Sequence, residues 1–183
     1  DLIEYFILTP LPGSQDHKEL YLKGVWMDPD LNKYDVEHVT VLHPLMSKEE
    51  WQGIYDRAWH LYYSWEHIET LIKRAIATGI RVPRLISFIF EFYGSYRFEK
   101  LHPLQCGLFR LKIRTERRYS FPLEPAYLFY PRRVWEVLST YIPACLFLLK
   151  LVLLWWRVQI DPTTKGYADI AIMSVDNEEE ENL

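Results

Sequence analysis

The sequence predicts a mainly α-helical protein with a small β part. Three patterns carry that prediction. Two capped segments with apolar residues at three- and four-residue steps fill 47–79, the period of amphipathic helices. Two runs, 85–93 and 141–156, are apolar almost throughout, as buried helices are. Only 2–8 and 109–114 carry the compact or alternating apolar pattern of strands. With 183 residues, 22.0 kDa, 49% apolar and 25% charged residues, the chain is sized for one domain and too apolar for general disorder.

In chain order, Leu2-Ile3-Glu4-Tyr5-Phe6-Ile7-Leu8 reads as a buried strand, closed by Thr9-Pro10-Leu11-Pro12-Gly13. A core strand there needs neighbours, either from later in this chain or from upstream of it. The opening is not that of a signal peptide, since no basic leader precedes an apolar run. Ser14 is placed to cap a short helix to Leu22, with Gly24 past its end. Asp28, Asp30 and Asn32 imitate the start of a calcium loop, but Lys33 stands where such a loop needs Gly and Val39 where it needs Glu.

Ser47 and Glu50 form a capping box, followed by Trp51, Ile54, Tyr55, Ala58 and Tyr62 at helical spacing. Ser64 caps a second helix with Ile68, Leu71, Ile72, Ala75 and Ile76 on one face, ended by Gly79 and Pro83. Together they predict a helical hairpin over 48–78. His60 and His67 lie seven apart but have no carboxylate beside them, and read as packing or surface rather than a metal pair. Leu101 to Gly107 is a predicted loop. Phe109, Leu111 and Ile113 alternate with Arg110, Lys112 and Arg114, a strand period with one basic face, and Arg117 and Arg118 extend the charge.

Pro131 is the predicted start of the last long element, running through Trp135 into Tyr141–Trp156. As a helix, those sixteen final residues span about 24 Å, short of the roughly 30 Å of a bilayer's hydrocarbon. With Lys150 near its centre and Pro143 inside, a membrane span is disfavoured. A buried helix, or one lying on a membrane with Trp155 and Trp156 at the interface, fits better. Residues 176–183 hold five carboxylates and read as a solvated tail.

Net charge is −4, unevenly spread. Residues 1–83 are net −5, 84–133 are net +6, and 159–183 are net −6. The central basic island has two destinations, an anionic partner or the chain's own acidic parts. No phosphate-binding loop, dinucleotide fingerprint, nucleophile elbow or zinc-protease motif is present. Cys106 and Cys145 cannot by themselves build a zinc or iron–sulfur site, and Cys106 with His102 nearby reads as structural rather than as nucleophile and base.

One resemblance is specific. Phe6-Ile7-Leu8-Thr9-Pro10-Leu11-Pro12-Gly13-Ser14-Gln15-Asp16-His17 resembles the late barrel strand of radical S-adenosylmethionine enzymes of the class with an upstream cobalamin-binding domain. Gly24 to Asp35, Trp59-His60-Leu61-Tyr62-Tyr63, Glu66-His67, His102-Pro103-Leu104-Gln105, Phe109-Arg110-Leu111-Lys112 and Glu116-Arg117-Arg118 follow in that family's order, over about residues 2–175.

The resemblance implies the end of a (β/α) barrel at 1–24, a loop plus helical hairpin at 25–83, a C-terminal extension at 84–175 and an acidic tail at 176–183. It implies S-adenosylmethionine, a four-iron four-sulfur cluster and cobalamin as cofactors of a parent protein. The cluster's Cys-x-x-x-Cys-x-x-Cys motif is not in this sequence, so the barrel and cobalamin domain are expected upstream and the fragment is expected to be inactive alone. Thr9, Pro10, Leu11, Pro12 and Gly13 would lie beside the adenine side of S-adenosylmethionine, presenting main-chain groups. No catalytic residue carries over. The implied location is cytoplasmic.

Two other readings come from the residues. The apolar element at 141–156 with its paired Trp and the preceding basic block suit a membrane surface or a lipid-like substrate. The basic strand at 109–114 with nearby aromatics suits a nucleic acid, against which the overall acidity counts.

Overall fold

The computed structural model describes residues 2–105, 112–117 and 120–173. Among these the chain is mainly helical: α1 (Gln15–Leu22), α2 (Lys48–Tyr62), α3 (Trp65–Ala77), α4 (Val82–Gly94) and α5 (Ala126–Ile160). Cys106 and Phe109 to Leu111, which include half of the predicted basic strand, and the tail at 176–183 lie outside the described residues.

The helix starts follow the sequence closely. The Ser14 hydroxyl accepts from His17 N at the start of α1, and Gly24 takes φ +66 just past its end. Ser47 and Glu50 form the reciprocal capping box of α2, and Ser64 accepts from His67 N to open α3. Gly79, at φ +72, follows α3. Pro83 sits in the first turn of α4, where a missing N–H costs nothing. One π turn, Ser95–Glu99, extends α4 and ends at Lys100 with φ +56.

Three expectations are corrected. First, the small β part is absent: among the described residues there is no strand, only an isolated antiparallel bridge between Met27 and Val41. Residues 2–8 make one backbone hydrogen bond of ladder type, Ile7 N to Val36 O at 2.7 Å, so no sheet forms around them. Second, α2 and α3 are joined by two residues but do not lie side by side as hairpin arms; α3 packs on α4, α5 and the 3₁₀ turn Pro162–Gly166. Third, α5 begins at Ala126, five residues before Pro131. Pro131 removes a bond to the Tyr127 carbonyl, a loss that is tolerable where Tyr127 is 75% exposed.

A single cluster joins Ile7, Val39, Tyr55, Trp59 and Tyr63 to Ile68, Leu71 and Ile72 of α3, Leu85, Ile86 and Ile89 of α4, and Phe147, Leu151 and Val158 of α5. Aromatic residues make up 16% of the chain, and several of them meet here. Trp59 is fully buried and stacks on Tyr63 at 5.6 Å and on Tyr96 at 5.0 Å between ring centroids. Tyr63 in turn stacks on Tyr93, which meets Phe147 edge-on. Helical spacing pointed to Ile54 and Tyr55; Ile54 is 43% exposed, whereas Tyr55 and Trp59, one turn apart, are buried.

Candidate functional site

The opening segment is held by three groups from distant parts of the chain. Tyr63 Oη donates to the Ile3 carbonyl at 2.9 Å, His102 Nε2 to the Tyr5 carbonyl at 3.1 Å, and Ile7 N donates to Val36 O. All three contacts fall on odd-numbered residues, the two-residue period of an extended chain. Main-chain groups of Glu4, Phe6 and Leu8 therefore point the other way, and no hydrogen bond reaches them from the described residues. Ile7 is buried, while Phe6 and Leu8 are 49% and 80% exposed.

The five predicted site residues follow directly. Thr9 Oγ1 donates back to the Ile7 carbonyl at 3.0 Å, and Pro10 is buried. With Leu8, these two line a cavity of about 230 Å³ closed by Val41 and by Asp16, Glu19, Leu20 and Lys23 near α1. Leu11, Pro12 and Gly13 are exposed and form the turn into α1, with Ser14 N donating to Leu11 O at 2.9 Å and Gly13 at φ +90. The structure thus splits the group into two lining residues and three turn residues.

A second cavity, of about 380 Å³, lies where the 34–38 loop, α2 and the π turn meet. Glu37 enters it from the loop, Tyr55, Asp56 and His60 from α2, and Tyr96 and Lys100 from the π turn and its end. The Tyr96 hydroxyl donates to Asp56 Oδ1 at 3.0 Å, and His60 Nδ1 lies 3.0 Å from the Tyr93 hydroxyl. Gln52 Nε2 donates to the Glu37 main-chain oxygen at 3.0 Å and so fixes the loop. Glu37 is 92% removed from solvent (8% exposed), and burial together with the Asp35 carboxylate pushes its carboxyl up to about 7. Such a group gains or loses a proton near neutral pH.

The only two non-glycine residues at positive φ among those described flank this cavity. They are Val36 at +65, directly before Glu37, and Lys100 at +56. For a β-branched residue that conformation is strained, and strain of this kind gathers where a side chain is being aimed. Sequence spacing missed this site because its members come from three separate segments. The one local signal was Asp56 and His60, a turn apart on α2.

Other singled-out residues are engaged structurally. Asp28 Oδ2 takes Lys33 Nζ at 2.8 Å and Lys48 Nζ at 3.5 Å, and Oδ1 accepts from Asp30 N; these contacts hold its carboxyl down at about 2. His60 packs on the rings of Tyr93 and Tyr96, and His67 on Tyr62, so the two histidines serve different packing sites. Cys145 is exposed on α5. Much of the described basic island is spent internally: Lys112 and Arg133 on Glu136, Arg132 on Glu124, and Arg114 on the Glu124 carbonyl. No group of three or more potential metal ligands occurs among the described residues.

No protein-family model, no curated protein and no solved structure matches this chain.

Proposed function

We propose that the chain is the C-terminal part of a cobalamin-type radical S-adenosylmethionine enzyme, with residues 2–13 completing its barrel and the helices beyond covering the barrel's end. The ordered series of segments that resembles that family is the basis of the reading. The structural observation that supports it best is the one-sided anchoring of residues 3–8. Their odd-numbered main-chain groups are bound within the chain, and the even-numbered ones are left as a free strand edge. A free edge beside the half-exposed Phe6 and exposed Leu8 is a template for a neighbouring strand.

The chain's own residues do not fit the cluster. Cys145 stands exposed on a helix, and the two cysteines of the sequence cannot supply a three-cysteine motif. Cluster and cobalamin therefore belong, in this reading, to the part of the enzyme before Asp1. This chain would meet S-adenosylmethionine through the main chain of Thr9 to Gly13 alone. The enzyme would be cytoplasmic.

The decisive experiment is to read the coding DNA upstream of Asp1 and to purify the full product without oxygen. The reading expects an in-frame Cys-x-x-x-Cys-x-x-Cys and release of 5′-deoxyadenosine from S-adenosylmethionine on reduction. A continuous frame without that motif, or a start codon adjoining Asp1, overturns it.

A further inference from the structure

Helix α5 is 35 residues long, the one helix among the described residues long and apolar enough to cross a membrane, and little of it is buried. The whole helix is about 52 Å long at 1.5 Å per residue, but Arg132, Arg133 and Glu136 lie in its added turns, so the apolar run within it stays as short as the sequence predicts. The packing supplies a different objection. Ala144, Phe147, Leu151 and Val158 form a buried stripe against α3 and α4. α3 brings Glu69 and Lys73 alongside, and Arg157 of α5 pairs with Glu69. In a spanning orientation these charges would sit in hydrocarbon.

The opposite side of α5 has a different character. At every third or fourth step from Trp135 to Ile160, through Ile142, Leu146, Leu149 and Leu153, an apolar side chain stands between 46% and 71% exposed. This outer stripe is about 38 Å long. Lys150 lies one turn from both Leu146 and Leu153, and Arg157 one turn from Leu153, so cations border one flank of the stripe. Lys150 is exposed and has no ion pair among the described residues. The segment that carries the stripe, 84–158, has twelve Lys and Arg against five Asp and Glu, whereas 1–83 and 159–183 are both net acidic.

We propose that α5 docks in the plane of an anionic membrane surface, with the outer stripe in the headgroup–acyl boundary and Lys150, the unpaired cation on its flank, toward the lipid phosphates. An in-plane helix keeps Glu69 and Lys73 in water while its outer stripe leaves it. Trp135 and Trp156 fall near the two ends of the stripe, and their indoles suit the headgroup level along its length. A second copy of the chain is a poorer occupant. Lys150 lies near the middle of the stripe, so two-fold pairing through it sets like charges together.

The test is flotation of the chain with vesicles of phosphatidylcholine alone and with about one-quarter phosphatidylglycerol. Binding is expected to the anionic vesicles and to weaken with salt. Lys150→Gln should lower the partition coefficient about five-fold, the value of one basic residue near such a surface. Leu146→Glu with Leu149→Glu should abolish binding while circular dichroism stays unchanged, since both side chains are outside the core. Brominated lipid should quench Trp fluorescence of the wild type, and less so that of Trp135→Phe with Trp156→Phe. Failure to bind either vesicle overturns the proposal, as does binding that survives the Glu pair. A concentration-dependent dimer lost in the Glu pair, without vesicle binding, assigns the stripe to a second copy instead. None of these outcomes depends on the upstream sequence, so the enzyme reading stands or falls separately.

Discussion

His102 is joined to Tyr5 across 97 positions of sequence: its Nε2 donates to the Tyr5 carbonyl at 3.1 Å while its Nδ1 accepts from Leu104 N at 3.2 Å. Both ring nitrogens are thus assigned, in the neutral Nε2–H form, and the side chain is fully buried. A second ring proton would have to displace the Leu104 N–H, and burial already holds the imidazole below its ordinary value.

His102→Ala should cost about 1–3 kcal/mol, because it empties a fully buried site and takes their partner from the Tyr5 carbonyl and the Leu104 N–H. Hydrogen exchange should show the loss at residues 3–8 first. Since the folded state disfavours the charged ring, the stability His102 contributes is present above about pH 6.5 and declines as pH falls below it. Unchanged protection of 3–8 in the variant would contradict the role given to this residue.

Trp59 carries the aromatic core. Trp59→Ala removes a fully buried ring that stacks on both Tyr63 and Tyr96, and should cost about 3–5 kcal/mol. That is a large share of the roughly 5–15 kcal/mol that holds a domain together. Urea denaturation checks it, and a loss under about 1 kcal/mol would mean that the ring stack contributes little.

Two leucines on α5 provide an internal comparison. Leu151 is fully buried and Leu149 is 52% exposed. Leu151→Ala should destabilise by about 2–5 kcal/mol, and Leu149→Ala should change stability by no more than about 0.5 kcal/mol. Reversal of that order in thermal or urea unfolding would mean that the helix is rotated from the orientation described.

Glu37→Gln should stabilise the protein at pH 8 and leave it nearly unchanged at pH 5. The carboxyl is raised in the folded state, so its ionisation costs stability progressively as pH rises from about 4.5 to about 7. Allowing for solvent screening in the cavity, the cost is about 1–2 kcal/mol at pH 8. His67 and His102, held below their ordinary value by burial, act in the opposite sense below about pH 6.5. The measurement is therefore the difference between wild type and variant across the range; a flat difference refutes the perturbed carboxyl.

The caps of α1, α2 and α3 were legible because each is a local transaction: a Ser hydroxyl meets an N–H three residues on, and the spacing alone predicts it. The apolar run at 85–93 was legible as a largely buried helix for a similar reason, since only Ser87 and Glu91, one turn apart, give it a polar side. Residues 2–8 form no strand within this chain, although their composition is that of one, because their partners here are single groups, Tyr63, His102 and Val36, rather than a neighbouring strand. Glu37 was invisible as a site residue. Its burial depends on α2 and the π turn, which the sequence does not place beside it.

What the sequence determined by itself is where α1, α2 and α3 start and that two of the chain's runs are too apolar to be ordinary surface. It also set a basic middle between acidic ends. What only the tertiary structure decided is which side of each run is covered. On α5 the residues Phe147 and Leu149 are equally apolar by type, yet one is 4% and the other 52% exposed. Periodicity defines faces relative to one another, but only the contact with α3 and α4 chooses the inner one. The same contact, by burying one stripe beside charged α3, turns a helix that by its whole length could span a membrane into one with one open apolar side.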